Sequence, residues 1–559
     1  MSCDSIRPGI RDTIRAFGSC RRGGIGIILG LTLVPLVFLA GAAVDYSGAS
    51  NLKAKLQSAT DGANMQLCMM PVTSTTAQLQ AAAQIYLQSY MEGRSFTIDS
   101  VLPTTSPRQI QLTTSATFPT AIVRAVNSNF ATIPIKATAR CFSEQQSFEI
   151  ALVVDNTGSM SSSSGGQSKL QALKNAATNF VTSVFTDPAM QGHTKMSLVP
   201  FAATVAVNPS TYRTANWIDQ NGKATHHWSF IQGGAAALAP YASFGIKSRL
   251  DVFNYLKASV PAWDWNGCFE ALPYPLSTQD VAPVPSNKDS YYVPMFAADE
   301  AGDGGASTHK TPAGATINSA NSYIDDSNSS CPASTDEATR TGQACKYVQL
   351  SNPQSSGGRG PNFACTTRPL TRMTTNQATL KSEIAALTAN GNTNAHEGFM
   401  WGWRTISPNS IFADGAAYTK PYNNKIIVLM TDGMNAWNDQ LSNVLKSRYS
   451  AYGFFKNPDG STVNARFPAA NANPANSAAA RNAIDAMTLD ACRNARNAGI
   501  TIFTIGFSVA SDPIDQKGLD LLRNCAGNAS RTFVATDSTT INQVFQQVAQ
   551  SIGQLRLSM

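Results

Sequence analysis

Hydrophobic residues along this chain follow three spacings, and each spacing predicts a different element. The first is unbroken. Ile25 to Val44 is a run of twenty residues without a charge, long enough to span a bilayer as a helix, and the Pro35 inside it is tolerated in such helices. The second spacing is helical: Leu52, Leu56, Ala59, Ala63 and Leu67 return every three or four positions, with Lys53, Lys55 and Asp61 off the stripe. The helix therefore runs straight on from the bilayer, and residues 25–67 as one helix would be about 65 Å long. Gln78 to Tyr90 predicts a second helix. The third spacing is alternation, over Ser95–Val101, Gln109–Phe118 and Ile133–Ala139, which predicts strands. Residues 46–146 thus read as a small α+β module.

Beyond residue 146 the apolar runs become short and continuous: Ile150–Val154, Lys425–Met430 and Gly499–Phe507. Runs of that kind predict strands buried on both faces, as in a parallel sheet. Helical patterns lie between and after them, at Leu170, Leu173, Ala177 and Phe180, then over 380–387, 397–406, 478–498 and 541–555. Lys195 to Val207 reads as two strands with a tight connection, and Arg531 to Ala535 as the last strand. The fold class is α/β, with a doubly wound, mostly parallel sheet in two parts, 147–210 and 376–559. Between them, residues 211–375 are rich in Pro, Gly, Ser and Asn, with aromatic clusters at Trp217, Trp228, Trp263, Trp265, Tyr291 and Tyr292. A structureless loop of that size does not belong in a compact domain. It reads as an inserted subdomain tied by its cysteines, the aromatics forming either its core or a recognition face. Ala451 to Asn476 reads as a further loop excursion.

Charge sets the topology. Only 14% of the 559 residues are charged, and much of the +7 excess sits before residue 22. Residues 1–22 carry Arg7, Arg11, Arg15, Arg21 and Arg22, and positive flanks stay inside. They form a cytoplasmic tail, 23–45 is the membrane helix, and the remainder lies outside. The apolar run is too long for a cleaved signal, and no A-x-A site follows cleanly. No basic stripe with interleaved aromatics occurs, which argues against nucleic acid. Cys3 and Cys20 fall on the cytoplasmic side. The other eight, Cys68, Cys141, Cys268, Cys331, Cys345, Cys365, Cys492 and Cys525, fall outside, where an oxidising compartment lets them pair. The absence of C-x-x-C weakens zinc and redox readings.

Three loops carry the candidate chemistry. Asp155-x-Thr157-x-Ser159 follows the first buried strand, Thr393 lies in the Gly-rich loop Gly391-Asn-Thr-Asn, and Thr431-Asp432-Gly433 ends the second buried strand. Turns at the C-terminal ends of strands are where open α/β sheets place ligands, and an all-oxygen set suits a hard cation. Together the loops resemble the metal-ion-dependent adhesion site of von Willebrand factor A (vWA) domains. Thr157 stands where many members have Ser, and the hydroxyl is retained. The resemblance implies a Rossmann-like vWA fold and a site for Mg²⁺, with Mn²⁺ able to replace it. The site is built from Asp155, Thr157, Ser159, Thr393 and Asp432, and its last place is left for an acidic side chain of a protein partner. His396 and Glu397 beside the Thr393 loop read as structural. Asp299-Glu-Ala-Gly-Asp303-Gly304 lacks the oxygen set of a calcium loop and reads as a solvated turn. The five histidines are scattered, with no H-E-x-x-H, G-x-S-x-G or Walker loop, so no enzyme is expected.

The N-terminal part resembles the TadG-like proteins of the Tad (Flp) pilus assembly machinery, through Arg21-Arg22-Gly23-Gly24-Ile25-Gly26, the apolar run, Ala43-Val44-Asp45-Tyr46 and Lys53-Ala-Lys55-Leu56-Gln57. Such proteins join this anchor to a vWA domain. Type IV prepilin-like sequences carry a Glu five residues after the processing Gly, and Ile28 or Leu29 stands there. Trp265-Asn-Gly-Cys268 and Gly360-Pro-Asn-Phe-Ala-Cys365 resemble paired signatures of the TadG-like insertion, which implies a Cys268–Cys365 bridge and leaves Cys331 and Cys345 to pair locally. Cys492–Cys525 and Cys68–Cys141 are the remaining expected pairs. The resemblance implies a protein of the bacterial inner membrane whose bulk is periplasmic or extracellular, engaged with pilus or envelope components. The alternative from another class is a surface adhesin that binds an external or host ligand independently of a pilus.

Overall fold

The computed structural model describes residues 24–554, apart from 72–73, 106–107, 144–145, 189, 303–307, 311–313, 327–329, 351, 355–356 and 464–465. The arginine flank, Cys3, Cys20, Asp303, Gly304 and Leu555 lie outside the described residues. The chain divides into two units, Met1–Gln145 and Gln146–Met559.

In the first unit, the unbroken and the striped segments form one helix, α1 (Gly24–Met69). At 1.5 Å per residue it is about 70 Å long. It is the one helix among the described residues long and apolar enough to cross a membrane. Its first half leaves Leu31, Val34 and Leu39 exposed, while Leu52, Leu56, Ala59, Ala63 and Leu67 are buried. That stripe packs with α2 (Thr76–Met91) against an antiparallel sheet of β1 (Thr97–Thr105), β2 (Arg108–Pro119) and β3 (Thr132–Ser143). A Thr75/Gln78 capping box starts α2. Asp45, just past the apolar run, is buried and accepts three backbone N–H bonds of 2.9 Å, from Ala121, Ile122 and Val123. Cys68–Cys141 ties the end of α1 to β3.

The second unit is built on a six-stranded sheet. Its strands are β4 (Ser147–Asp155), β5 (Thr194–Phe201), β6 (Thr371–Thr374), β7 (Asn423–Thr431), β8 (Thr501–Phe507) and β9 (Thr532–Ala535). The order is β6-β5-β4-β7-β8-β9. All neighbours are parallel except the β6 edge, which is antiparallel to β5. Side chains alternate between the two faces. Ile150, Leu152 and Val154 join the core under α3 (Lys169–Thr186), α4 (Gln377–Ala385) and α8 (Ser538–Gln554). Ala151 and Val153 join the core under α5 (Ala395–Ile406), to which α6 (Ser477–Asn497) and α7 (Gln516–Ala526) also contribute. Both faces are covered, which is why these strands are apolar throughout.

Residues 211–370 contain short 3-10 turns and the helices Arg249–Ser259, Glu337–Gly342 and Cys345–Val348, whereas Thr371–Thr374, expected within the insertion, is the β6 edge of the main sheet. They build no separate core: Trp217, Phe269 and Tyr292 pack with Trp401 of α5 in one cluster. The aromatic residues Trp217, Trp228, Trp263, Trp265 and Tyr292 are buried, so they are core and not a recognition face. Residues 436–476 fold over the same side, around Trp437, Tyr452 and Phe467. The two excursions are welded by charge. Arg249 and Arg466 both donate to the carboxylate of Glu270, at 2.6 and 2.5 Å, and Tyr449 donates a third bond of 2.6 Å. Burial alone would raise the Glu270 pKa, but the two guanidinium groups outweigh it and hold it at about 2.

Two expectations need correction. The second strand predicted within Lys195–Val207 does not form: β5 ends at Phe201, and Ala206 makes only isolated bridges to Cys268 and Pro369. Those residues are apolar because the 211–375 layer covers them. Asp299 is not in a solvated turn. It is fully buried, pairs with Lys346 at 2.6 Å and accepts the N–H groups of Tyr323 and Ile324. The cysteines form Cys268–Cys365, Cys331–Cys345 and Cys492–Cys525 in this unit.

The Glu270 weld has a measurable consequence. Glu270→Ala strands two buried guanidinium charges, and losing one partner of a buried pair costs about 3–5 kcal/mol. Urea unfolding of the oxidised, detergent-solubilised chain measures it. A loss below about 1 kcal/mol, the scale of a surface pair, would mean that the excursions are held by packing alone.

Candidate metal centre

Strand register brings the site together. β4 and β7 run parallel with Ile426 beside Ile150 and Met430 beside Val154, so their C-terminal ends lie side by side. Asp155 is the last residue of β4, and Thr431-Asp432 closes β7. Asp155 is completely buried. Its Oδ1 accepts the Thr157 N–H at 2.8 Å and its Oδ2 accepts the Thr431 hydroxyl at 2.6 Å. Beyond it the chain turns so that the Thr157 and Ser159 hydroxyls meet at 2.9 Å. Ser159 Oγ donates to Asp432 Oδ1 at 2.7 Å, and Thr393 Oγ1 lies 3.4 Å from Thr157 Oγ1. All five residues singled out in the sequence therefore converge.

The backbone keeps the three loops in place. Gly158 N–H donates to Gly391 O at 2.9 Å, and Asn390 N–H to Asn156 O at 2.9 Å. Asn156 Nδ2 reaches Thr388 O at 2.9 Å. Gly391 has φ +86, and a Cβ there would lie 2.6 Å from Thr366 Oγ1, so the position requires glycine. Asn394 caps α5 by accepting the Glu397 N–H. The third loop joins through Ala436 N–H to Thr393 O at 2.9 Å and Ala395 N–H to Asn435 Oδ1 at 2.7 Å.

Lys169 completes the surroundings. It is the first residue of α3 and fully buried. Its ammonium pairs with Asp432 Oδ2 at 3.0 Å and Asp512 Oδ2 at 2.8 Å. Lys169 and Asp512 were not singled out in the sequence, and Thr431 entered only as part of the Thr431-Asp432-Gly433 motif. A signal for Lys169 exists nonetheless, because a cation in the first turn of a helix opposes the helix dipole and so calls for a nearby acid.

Burial, and next the Asp432 charge, push the Asp155 carboxyl up to about 7. Burial also raises Asp432, against the opposing pull of Lys169. A shared cation relieves both effects. The hydroxyl spacing fits one as well. Ligands at adjacent octahedral places about 2.1 Å from Mg²⁺ lie about 3 Å apart, and Thr157 Oγ1 and Ser159 Oγ are 2.9 Å apart. Among the described residues no group of three or more His, Cys, Asp or Glu that could hold a metal occurs, and the oxygens at this site are a hard donor set. His396 and Glu397 face the core. The His396 ring meets Tyr452 Oη and Ser277 O, both at 2.9 Å, and burial lowers its pKa to about 3. Glu397 accepts the Trp401 indole N–H at 3.0 Å.

Comparison with known proteins locates one segment. Residues 23–63 match the Tad family model, "Putative Flp pilus-assembly TadE/G-like". The match covers the apolar run, Asp45 and most of the buried stripe of α1, and it supports a pilus-related role. No curated protein matches. Among solved structures, the pilus adhesin SpaC from Lactobacillus rhamnosus GG is similar at 11% identity and TM-score 0.31, over 82% of this chain and 34% of that one. This chain thus spans about a third of SpaC. The vWF domain of the type V pili tip protein Mfa5 from Porphyromonas gingivalis is similar at 11% identity and TM-score 0.30, over 73% of this chain and 96% of that one. The adhesive tip pilin GBS104 from Streptococcus agalactiae is similar at 11% identity and TM-score 0.32, over 73% and 100%. Likenesses of this size carry no functional argument.

Two outcomes follow from the charges. Lys169→Met leaves Asp432 buried without its cation and is expected to destabilise the chain by about 3–5 kcal/mol in urea unfolding. The Asp155 carboxyl titrates near 7 when folded and near 3.9 when unfolded. Between those values the folded state holds a proton that the unfolded state lacks, so this group's contribution is lost as pH rises from about 4 to about 7. In chelator, wild type should lose stability relative to Asp155→Asn across that window. Parallel pH profiles of the two would refute the assignment.

Proposed function

We propose that the second unit is a vWA domain whose Asp155, Thr157, Ser159, Thr393 and Asp432 form a metal-ion-dependent adhesion site. The observation that carries this reading is the hydrogen-bonded run of oxygens Thr393–Thr157–Ser159–Asp432 at the paired ends of β4 and β7, with Asp155 buried beside it. Mg²⁺, or Mn²⁺ in its place, would be held by these oxygens and would supply a Lewis-acid position for one further carboxylate oxygen. The chain's own residues do the rest. Asp155 and Asp432 provide charge, the three hydroxyls provide neutral ligands or hold waters, Lys169 limits the negative charge, and Thr431 orients Asp155. Such a site is suited to capturing a carboxylate. With the Tad-type anchor, this gives a membrane-anchored component of Tad/Flp-type pilus assembly. It docks through the metal on an acidic side chain of a pilus or envelope protein.

The metal reading is tested by calorimetry with Mg²⁺ and Mn²⁺. Wild type should bind both. Asp432→Asn should abolish binding, and Ser159→Ala should weaken it by about tenfold, the scale of losing one supporting group of a metal site. Asp155→Asn is the better probe of Asp155 than alanine, because Asp155 accepts two buried donors and its removal would disturb the end of β4 as well as the site. Wild-type affinity in all three variants would end the reading.

Orientation is tested separately. With the arginine flank inside and a single span, a reporter active only in the periplasm and fused after Met559 should be active. Activity of a cytoplasm-only reporter at the same place would reverse the topology.

A further inference from the structure

Beside the candidate metal loops lies a groove that the adhesion-site reading does not use. One lobe, of about 620 Å³, runs from Gly391 and Asn392, the residues just before Thr393, past Asn362 and Trp263 to Arg359 and Arg448. A second lobe, of about 330 Å³, continues from Arg359, Phe363 and Arg448 to Gln440 and Ser319. The two lobes share both arginines and Phe363. Among the described residues no Asp or Glu lines either lobe.

These arginines differ from most in this unit. Arg249, Arg340, Arg368, Arg372, Arg466 and Arg481 each have a carboxylate partner. Arg359 and Arg448 pair with none among the described residues, and Arg359 Nε is buried without a hydrogen-bond partner. A guanidinium group set among polar and aromatic walls, with no acid nearby, is a fork awaiting a carboxylate.

The walls are rigid. Cys268–Cys365 pins the segment that carries Phe363. Asn362 Nδ2 donates to Asp264 O at 2.6 Å, and Thr366 Oγ1 donates to Asn390 O at 3.2 Å, which joins the groove wall to the Thr393 loop. The Arg448 backbone is held on both sides, by Arg448 N–H to Asn438 O at 2.9 Å and by the Trp437 indole N–H to Arg448 O at 2.8 Å. A wall fixed in this way loses little entropy on binding.

We propose that this groove is the specificity subsite of the adhesion site, and that it takes an extended acidic segment of the partner protein. One carboxylate of the segment goes to the metal, and one or more following carboxylates go to Arg359 and Arg448. The proposal rests on the metal reading for its first contact and on the two unpaired arginines for its second.

The test uses the full chain in detergent and fluorescein-labelled hexaglutamate as probe, with hexaglutamine as control, read by fluorescence polarisation. In Mg²⁺, hexaglutamate should bind and hexaglutamine should not, with affinity falling as salt rises. Arg359→Ala/Arg448→Ala should weaken binding by about tenfold or more, the scale of losing charge-assisted hydrogen bonds. Arg359→Lys/Arg448→Lys should recover part of it, which a merely structural role would not. Mg²⁺ calorimetry on the alanine pair should match wild type and serves as the check on folding. If the alanine pair binds hexaglutamate like wild type, the groove proposal is wrong and the metal reading stands. If chelator leaves binding intact while the alanine pair abolishes it, the groove stands and the metal reading falls. If neither arm binds hexaglutamate, the groove proposal is wrong.

Discussion

The parallel pairing of β4 with β7 governs the second unit. Eight in-register residue pairs, from Asn423 beside Ser147 to Met430 beside Val154, fix where both strands end. That register sets Asp155 and Asp432 at the same edge, out of water and within reach of one hydroxyl network. Two carboxylates so placed repel each other and lose hydration, which is unfavourable for folding taken alone. The surrounding structure answers that cost in parts: Lys169 neutralises one charge, Thr431 and the Thr157 N–H solvate Asp155, and Ser159 solvates Asp432. An arrangement that concentrates unfavourable charge at the end of a central sheet marks a candidate functional site.

The same sheet explains the long excursions. A parallel sheet must be covered on both faces. α3, α4 and α8 cover one, whereas α5 and its neighbours cover the other together with the 211–375 layer, whose Trp217, Phe269 and Tyr292 pack on Trp401 of α5. The excursion is therefore part of the core of the unit. The Glu270 charge cluster and the Cys268–Cys365 bridge then set the layer in one place relative to the Thr393 loop. Fold and site are coupled through the cover as much as through the strands.

Patterning reached the elements that follow one local rule. Ile150–Val154 and 425–430 are apolar on both faces and appear as central strands; Leu52, Leu56, Ala59, Ala63 and Leu67 are one helical face and appear as one. The five candidate residues were legible because four sit in short motifs at strand ends and the fifth, Thr393, in a Gly-rich loop before α5. What local pattern could not reveal was decided by distant residues. The apolar run 202–207 looks like a strand because it is buried, but the backbone that Ala206 meets, at Cys268 and Pro369, lies far along the chain. Asp299 looked solvated because its partner, Lys346, is 47 residues away. The Lys169–Asp512 contact joins residues 343 apart, and no window of sequence contains both.

Arg359 and Arg448 belong to that last group. They lie on separate excursions, and neither lies in a recognisable motif. The cover that buries one face of the sheet also brings them to one groove, and the disulfide and side-chain bonds that hold the cover hold them too. A fixed cation site at strand ends can select any exposed carboxylate, since its first contact is a single oxygen. Discrimination among acidic partners must then come from neighbouring groups whose own positions are determined, and a disordered loop bearing the same two arginines would lose much of its contribution to ordering. A rigid layer over the sheet removes that loss. On the proposed function, the insertion places such a second, preorganised contact beside the Thr393 loop.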